Sequence, residues 1–270
     1  PAAAPTPAPA PASAPAASPA PAPAPAPAAK AKGNDKAKPG KGSQPVDGHQ
    51  GWDISWPQCG GTYPDGMDFA VVGVTGGKGF TTNPCLADQW KWARSQSRAA
   101  GAYLNVNFPK TADDVARGAS SPYQPECDGA PACVAFNYGW NSVKDGLAYA
   151  RSQHVDVPFI WLDVEILNYW TSNKPLNAVV IRGAIEAARD SGVEPGIYST
   201  PLQWGRIMGD EAPGVPVWSA GADTLDTAAA YCTTKGFGGG PVALVQLLPN
   251  PLDTNIACPG AGPVSRYFAP

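Results

Sequence analysis

The sequence predicts an α/β fold, a TIM-like (β/α)-barrel that is irregular or incomplete, preceded by a disordered Pro/Ala-rich tether. Three observations carry that expectation. Composition changes abruptly: residues 1–47 are almost entirely Ala, Pro, Gly, Lys and Ser, whereas residues 48–270 hold all nine Trp and all six Cys. In that second part, short β-rich apolar runs alternate with amphipathic helical stretches, which indicates parallel strands joined by right-handed crossovers. The runs number about seven and are continuously apolar rather than alternating, so a barrel buried on both faces fits better than an open sheet.

Residues 1–47 cannot bury enough apolar surface to offset their ordering entropy and are expected to form an extended, partly polyproline linker. The domain spans 48–270. Trp52–Ser55 reads as its first strand and Phe69–Val74 as a buried second. A helix follows over 84–100, with Asn83 as N-cap, Pro84 at the first helical position and Gly101 as its stop. Ala102–Asn107 reads as the third strand. A Pro-, Gly- and Ser-rich insertion then runs from Phe108 to Tyr138 before a helix over 141–153. Pro158–Glu165 is the strongest strand, and a helix over 177–190 ends at Gly192. Strands at 196–199, 217–219 and 242–246 complete the set, with short helices over 202–208 and 226–234 in the gaps.

Net charge is −3, and Lys30, Lys32, Lys36, Lys38 and Lys41 all lie in the tether, so the domain itself is acidic. An acidic domain argues against nucleic acid as a partner. No run of eighteen apolar residues is present, so no transmembrane segment is expected. The six cysteines are spaced for local pairing, Cys59 with Cys85, Cys127 with Cys133 and Cys232 with Cys258, although fifteen connectivities are formally open. Disulfides imply an oxidising compartment, hence a secreted, extracellular or wall-associated protein, expected as a monomer. No Cys-x-x-Cys occurs, and only His49 and His154 could complete a metal site, so neither metal nor cofactor is expected. The same shortage of histidine removes Ser-His-Asp and Cys-His nucleophilic schemes and a metal-dependent phosphodiesterase. Thr75-Gly-Gly-Lys-Gly79 lacks the spacing of a phosphate-binding loop and reads as an ordinary turn.

Function in such a barrel collects at the C-terminal ends of the strands. Those positions hold Asp53 and Ser55, Asn105 and Asn107, Asp163 and Glu165, Tyr198, Trp218 and Gln246. Asp163 and Glu165 close an otherwise apolar run, and positions i and i+2 of a strand share a side. Two like charges at the mouth of an apolar barrel repel, and one must hold its proton to higher pH. A carboxylic acid still protonated near neutrality is what a leaving sugar oxygen requires. Tyr198 and Trp218 are candidate platforms for pyranose rings, whereas Trp161 is the better candidate for core. Asp253 sits in a turn-rich stretch.

Taken in order, Asp53-Ile-Ser-x-x-Gln58, Phe69-Ala-Val-Val-Gly-Val, Gly101-Ala-Tyr103, Trp161-Leu-Asp-Val-Glu165, Gly196-Ile-Tyr-Ser, Pro216-Val-Trp, Val245-Gln246 and Asp253-x-Asn255 form a series. That series resembles the glycoside hydrolase family 25 enzymes, the Chalaropsis-type lysozymes that cleave peptidoglycan. The resemblance spans Gly51 to about Asn255, and its Asp-x-Glu strand is its most specific element. It implies a barrel with an acidic groove, Glu165 as general acid, and Asp163 positioning the N-acetyl group whose carbonyl can attack the anomeric carbon. It also implies Asp53 and Asp253 lining the same pocket, and peptidoglycan or a related aminosugar polymer as partner. Tyr103 is followed by Leu-Asn where the family usually carries His-Phe, and Tyr103 and Asn105 are the candidate sugar contacts on this strand. The expected function is therefore a secreted muramidase, with a catalytically impaired, wall-glycan-binding module as the alternative.

Overall fold

The computed structural model describes residues 49–96, 99–234, 236–248 and 252–269; the tether expected over 1–47 lies outside them. Eight strands close into a barrel in chain order: β1 (Gln50–Ile54), β2 (Phe69–Gly73), β3 (Ala99–Asn105), β4 (Phe159–Asp163), β5 (Glu194–Ser199), β6 (Val215–Ala222), β7 (Gly239–Leu247) and β8 (Thr254–Ala257). The helices are α1 (Leu86–Gln96), α2 (Ala112–Arg117), α3 (Pro131–Ser152), α4 (Lys174–Asp190), α5 (Pro201–Ile207) and α6 (Leu225–Cys232). Strands β1 to β7 pair in parallel, whereas β8 runs antiparallel to both β7 and β1 and seals the barrel. The expected irregularity is thus located: only a 3-10 turn, Trp56–Gln58, and no α-helix, connects β1 to β2.

Strand β4 shows how the sequence builds the barrel. Phe159, Trp161 and Asp163 face the lumen, while Ile160, Leu162 and Val164 join the apolar layer between strands and helices. The lumen is filled from below by rings. Phe159 packs against Trp161 at 4.7 Å between centroids, and Trp161 against Trp218 at 5.9 Å. Gly196 makes room for this, because a Cβ there would collide with the Trp161 ring. The N-terminal end of the lumen is plugged by the chain's last residues. Phe268 lies 4.8 Å from Phe69 and Tyr267 4.9 Å from Phe159, while Ala269 and Ala100 exchange backbone hydrogen bonds. On the outside, Gly139 of α3 and Gly183 of α4 let the two helix backbones touch, since a Cβ at either would overlap the other helix.

Several expected boundaries move. The helix expected over 84–100 starts at Leu86, because Asn83 is buried and ties β2 to α1 through Gly73 O and Gln89 Oε1, both 2.7 Å from its Nδ2. That helix ends at Gln96, and Ala99 and Ala100 instead begin β3 by pairing with Phe69 and Ala70. Pairing in the barrel overrides the helical preference of alanine. The insertion over 108–138 is not a loop throughout. It contains α2, capped by Thr111, whose hydroxyl accepts from Asp114 N, and the first two turns of α3, which starts at Pro131. Strand β8 occupies a stretch read as turn. All three local disulfides are formed: Cys59–Cys85, Cys127–Cys133 and Cys232–Cys258.

Candidate active site

Parallel strands bring their C-terminal ends to one mouth, and there the lumen stops being apolar. One layer above Trp161 and Trp218, a cavity of about 180 Å³ is lined by four acids, Asp53, Asp163, Glu165 and Asp253, together with Tyr103, Tyr198, Trp218 and Gln246. Each of these is a residue that the sequence singled out. Of the other strand-end residues, Ser55 and Asn107 do not line the cavity, and Asn105 lies behind Asp163 and lends it a hydrogen bond.

Asp163 ends β4, and Glu165 lies two residues on, just beyond the strand proper. Extended pairing nevertheless continues, with Val164 N donating to Tyr198 O at 2.9 Å and Val106 N to Asp163 O at 3.0 Å. Alternation is therefore preserved, Val164 turning outward and both acids inward. Asp163 is 3% exposed; its Oδ2 accepts from Asn105 Nδ2, and its Oδ1 has no hydrogen-bond partner. Glu165 is half-buried, and Gln203 Nε2 at the start of α5 lies 3.5 Å from its Oε1. Asp53, at 8% exposure, accepts from Gln246 Nε2 at 3.0 Å and Asn255 Nδ2 at 2.6 Å on a single oxygen. The Tyr198 hydroxyl donates to Gln246 Oε1 at 2.8 Å, which orients that amide toward Asp53.

No cation offsets these charges: the cavity lining holds neither Lys, Arg nor His, and no ion pair among the described residues includes any of the four acids. Burial first, then mutual repulsion, raises their proton affinities. Asp53 rises to about 7, through desolvation and the Asp253 charge, against the two amide donors that favour ionisation. Asp163 rises well above the ordinary carboxylate range through desolvation, Glu165 and Asp53. Glu165 rises through burial, partly countered by Gln203 and reinforced by Asp253, and burial also raises Asp253. The Tyr103 and Tyr198 hydroxyls are raised by burial and by the same acids, so both stay protonated. The site is a set of carboxyls whose proton affinities are all raised, with hydroxyl and amide donors around them. Among the described residues no three His, Cys, Asp or Glu side chains converge to hold a metal ion.

Two expectations need correcting. Trp218 is not an open stacking platform, because it is 1% exposed, lies 4.6 Å below the Tyr198 ring and donates through Nε1 to Asn255 Oδ1 at 2.8 Å. It forms the cavity floor. Asn105 meets Asp163 rather than the open cavity. Sequence reading missed Gln203 and Thr75, the latter bonded to Asn105. Neither carries a spacing signal, because each meets its partner only through the closed barrel.

Comparison with known proteins follows the same lines. A family model described as Lysozyme-like protein 1 matches residues 127–238. A relative named Probable GH family 25 lysozyme 4, from Dictyostelium discoideum, is 28% identical over 109 residues, covering 38% of this chain and 49% of the relative. The match takes in less than half the length of each of three such curated relatives. Among solved structures, a family GH25 lysozyme from Aspergillus fumigatus superposes with a TM-score of 0.54 at 16% identity, over 81% of this chain and 96% of that one. A family 25 glycosyl hydrolase from Bacillus anthracis gives 0.53 at 15% identity, over 84% of this chain and 98% of its own. Over the matched stretches the chain is similar to family 25 lysozymes, and its barrel has the fold of those two solved structures.

Proposed function

We propose that this chain is a secreted muramidase that cleaves peptidoglycan glycan strands, with Glu165 as general acid and Asp163 assisting. The observation that carries the reading is the gathering of Asp163 and Glu165, with Asp53 and Asp253, in one cation-free cavity. Glu165 is the acid best placed for proton transfer, because it is half-buried at the mouth and burial raises its proton affinity, which favours the acid form. It protonates the glycosidic oxygen as the bond from the anomeric carbon to that oxygen breaks. Asp163 presents its unpartnered Oδ1 to the acetamido group of the sugar. An amide N–H donated to that oxygen favours the carboxylate form of Asp163 and makes the acetamido carbonyl oxygen a better nucleophile toward the anomeric carbon. Water then opens the cyclic intermediate, giving a proton back to Glu165. Asp53 and Asp253 line the same cavity, and in their ionised forms they stabilise the developing oxocarbenium ion.

The presence of three disulfides supports export, and the lysozyme relatives support a wall substrate. The test is turbidity clearing of purified peptidoglycan by wild type and Glu165→Gln. Clearing is expected from the first and a loss of about 10²–10⁴-fold in the second. Equal clearing by both removes Glu165 from its role, and wall binding by wild type without clearing favours the impaired, glycan-binding module instead.

A further inference from the structure

The hydroxyl of Thr75 sits where it can fix the direction of an amide. It accepts from Asn105 backbone N at 3.0 Å and lies 2.6 Å from Asn105 Oδ1. A backbone N–H can only donate, so the Thr75 oxygen is the acceptor there, and its single hydrogen is donated to Asn105 Oδ1. The Asn105 amide is thereby locked with Oδ1 toward Thr75 and Nδ2 toward Asp163 Oδ2. All three residues are buried: Thr75 at 2% exposure, Asn105 at 8% and Asp163 at 3%, so no water competes for these groups from bulk. Thr75 follows β2, Asn105 ends β3 and Asp163 ends β4, so the relay crosses three neighbouring strands at their C-terminal ends.

We propose that Thr75 and Asn105 are positioning residues that commit Asp163 to one working oxygen, with Oδ2 held as an acceptor by the barrel wall and Oδ1 left to meet the ligand. When Asp163 is protonated, an N–H donor already facing Oδ2 keeps the proton on Oδ1, the oxygen without another partner. When it is ionised, Oδ1 is the free acceptor. Either way one oxygen is occupied by Asn105 and the other is the one left for the ligand. This deepens the reading of Asp163 as the residue that meets the acetamido group, and rests on it. The groups that face Asp163 and share its titration are Glu165, Asp53, Tyr103 and Tyr198.

The relay is tested on the full chain by following the Asp163 carboxyl with carbon-13 NMR as pH is varied, the resonance being assigned with Asp163→Asn. Thr75→Val keeps the side-chain shape and removes the hydroxyl, which frees Asn105 to turn its oxygen toward Asp163. The Asp163 midpoint should then rise by about one pH unit or more, as expected for loss of a hydrogen bond to a charged group. Thr75→Ser restores the hydroxyl and should restore the midpoint. If Thr75→Val does not fold, Asn105→Ala removes the donor directly and serves the same comparison. An unchanged midpoint on loss of the hydroxyl, or an equal rise in Thr75→Ser, overturns the proposal. Parallel peptidoglycan clearing separates the two readings: a shifted midpoint in a protein whose wild type clears nothing supports the relay and rejects the muramidase.

Discussion

Asn255 holds Asp53 across the seam where the barrel closes: its Nδ2 donates to Asp53 Oδ2 at 2.6 Å from β8, the antiparallel strand, onto β1. The same amide accepts the Trp218 indole N–H at 2.8 Å, so one fully buried side chain joins a site acid to the cavity floor. Replacing Asn255 with Ala leaves Trp218 Nε1 buried without an acceptor and strips Asp53 of one of its two donors. The expected cost is about 1–3 kcal/mol, read from urea unfolding. A double-mutant cycle with Trp218→Phe isolates the link, because Trp218→Phe should be milder once Asn255 is gone. Strict additivity would mean that the hydrogen bond contributes nothing.

Stability should fall, not rise, as pH passes through neutrality. Asp53 ionises at about 7 in the fold against 3.8 for an unperturbed carboxyl. Between those values the folded chain keeps a proton that the unfolded chain has released, so each step up in pH favours unfolding until the folded value is passed. For one site this displacement amounts to on the order of 4 kcal/mol. Asp163, Glu165 and Asp253 are raised as well and act in the same sense. Urea midpoints measured from about pH 4 to about pH 8 should decline, and Asp53→Asn should flatten the decline. A midpoint that climbs over this range contradicts the assignment.

Gln203 sets where Glu165 releases its proton. Its Nε2 faces Glu165 Oε1 at 3.5 Å and favours the ionised form, while its own Oε1 accepts from Ile166 N at 2.7 Å. In Gln203→Leu, Glu165 loses that support and holds its proton to higher pH. Because the proposed chemistry needs Glu165 protonated, the alkaline limb of the kcat profile on peptidoglycan should move upward by several tenths of a pH unit, up to about one. A limb that stays in place would show that another group governs it.

How much of this could be read in advance depends on where each signal lives along the chain. Strand β4 was legible because an apolar run that ends in Asp163 and Glu165 states both the burial of its body and the polarity of its end. Asp53, Tyr198, Trp218 and Gln246 were legible as polar or aromatic residues at the C-terminal ends of strands, whereas Tyr103 and Asp253 were assigned to the site only through the ordered series that resembles family 25. Strand β8 was not legible, because Thr254 and Asn255 look like a turn, and Asn255 is buried only by meeting Asp53 and Trp218. The depth of Trp218 was equally hidden. Being a strand-end aromatic places a ring near the mouth, but the register that pairs Trp218 with Tyr198 decides which ring covers which. Thr75 and Gln203 act through partners 30 and 38 residues away, so they have no local signature.

The aromatic plug at the base of the barrel should stabilise the fold without entering the chemistry. Phe268 is 2% exposed, packs on Phe69 at 4.8 Å and lies where a Cβ on Gly101 would meet its ring at 2.9 Å. Tyr267 stacks against Trp161 at 5.8 Å, directly beneath the layer that carries Asp163. Phe268→Ala removes a ring from a closed lumen whose wall is a continuous hydrogen-bonded sheet and cannot collapse into the space, so the loss should be about 3–5 kcal/mol. Gly101→Ala attacks the same contact from the strand side and should be destabilising for the opposite reason, overpacking, at about 1–3 kcal/mol. Combining the two should cost less than their sum, since removal of the Phe268 ring makes room for the new methyl. Urea unfolding of the two single variants and the double one measures this, and clearing rates normalised to the folded fraction should remain near wild type. A large fall in kcat for folded Phe268→Ala would show instead that the plug sets the height of Asp163 through Tyr267 and Trp161.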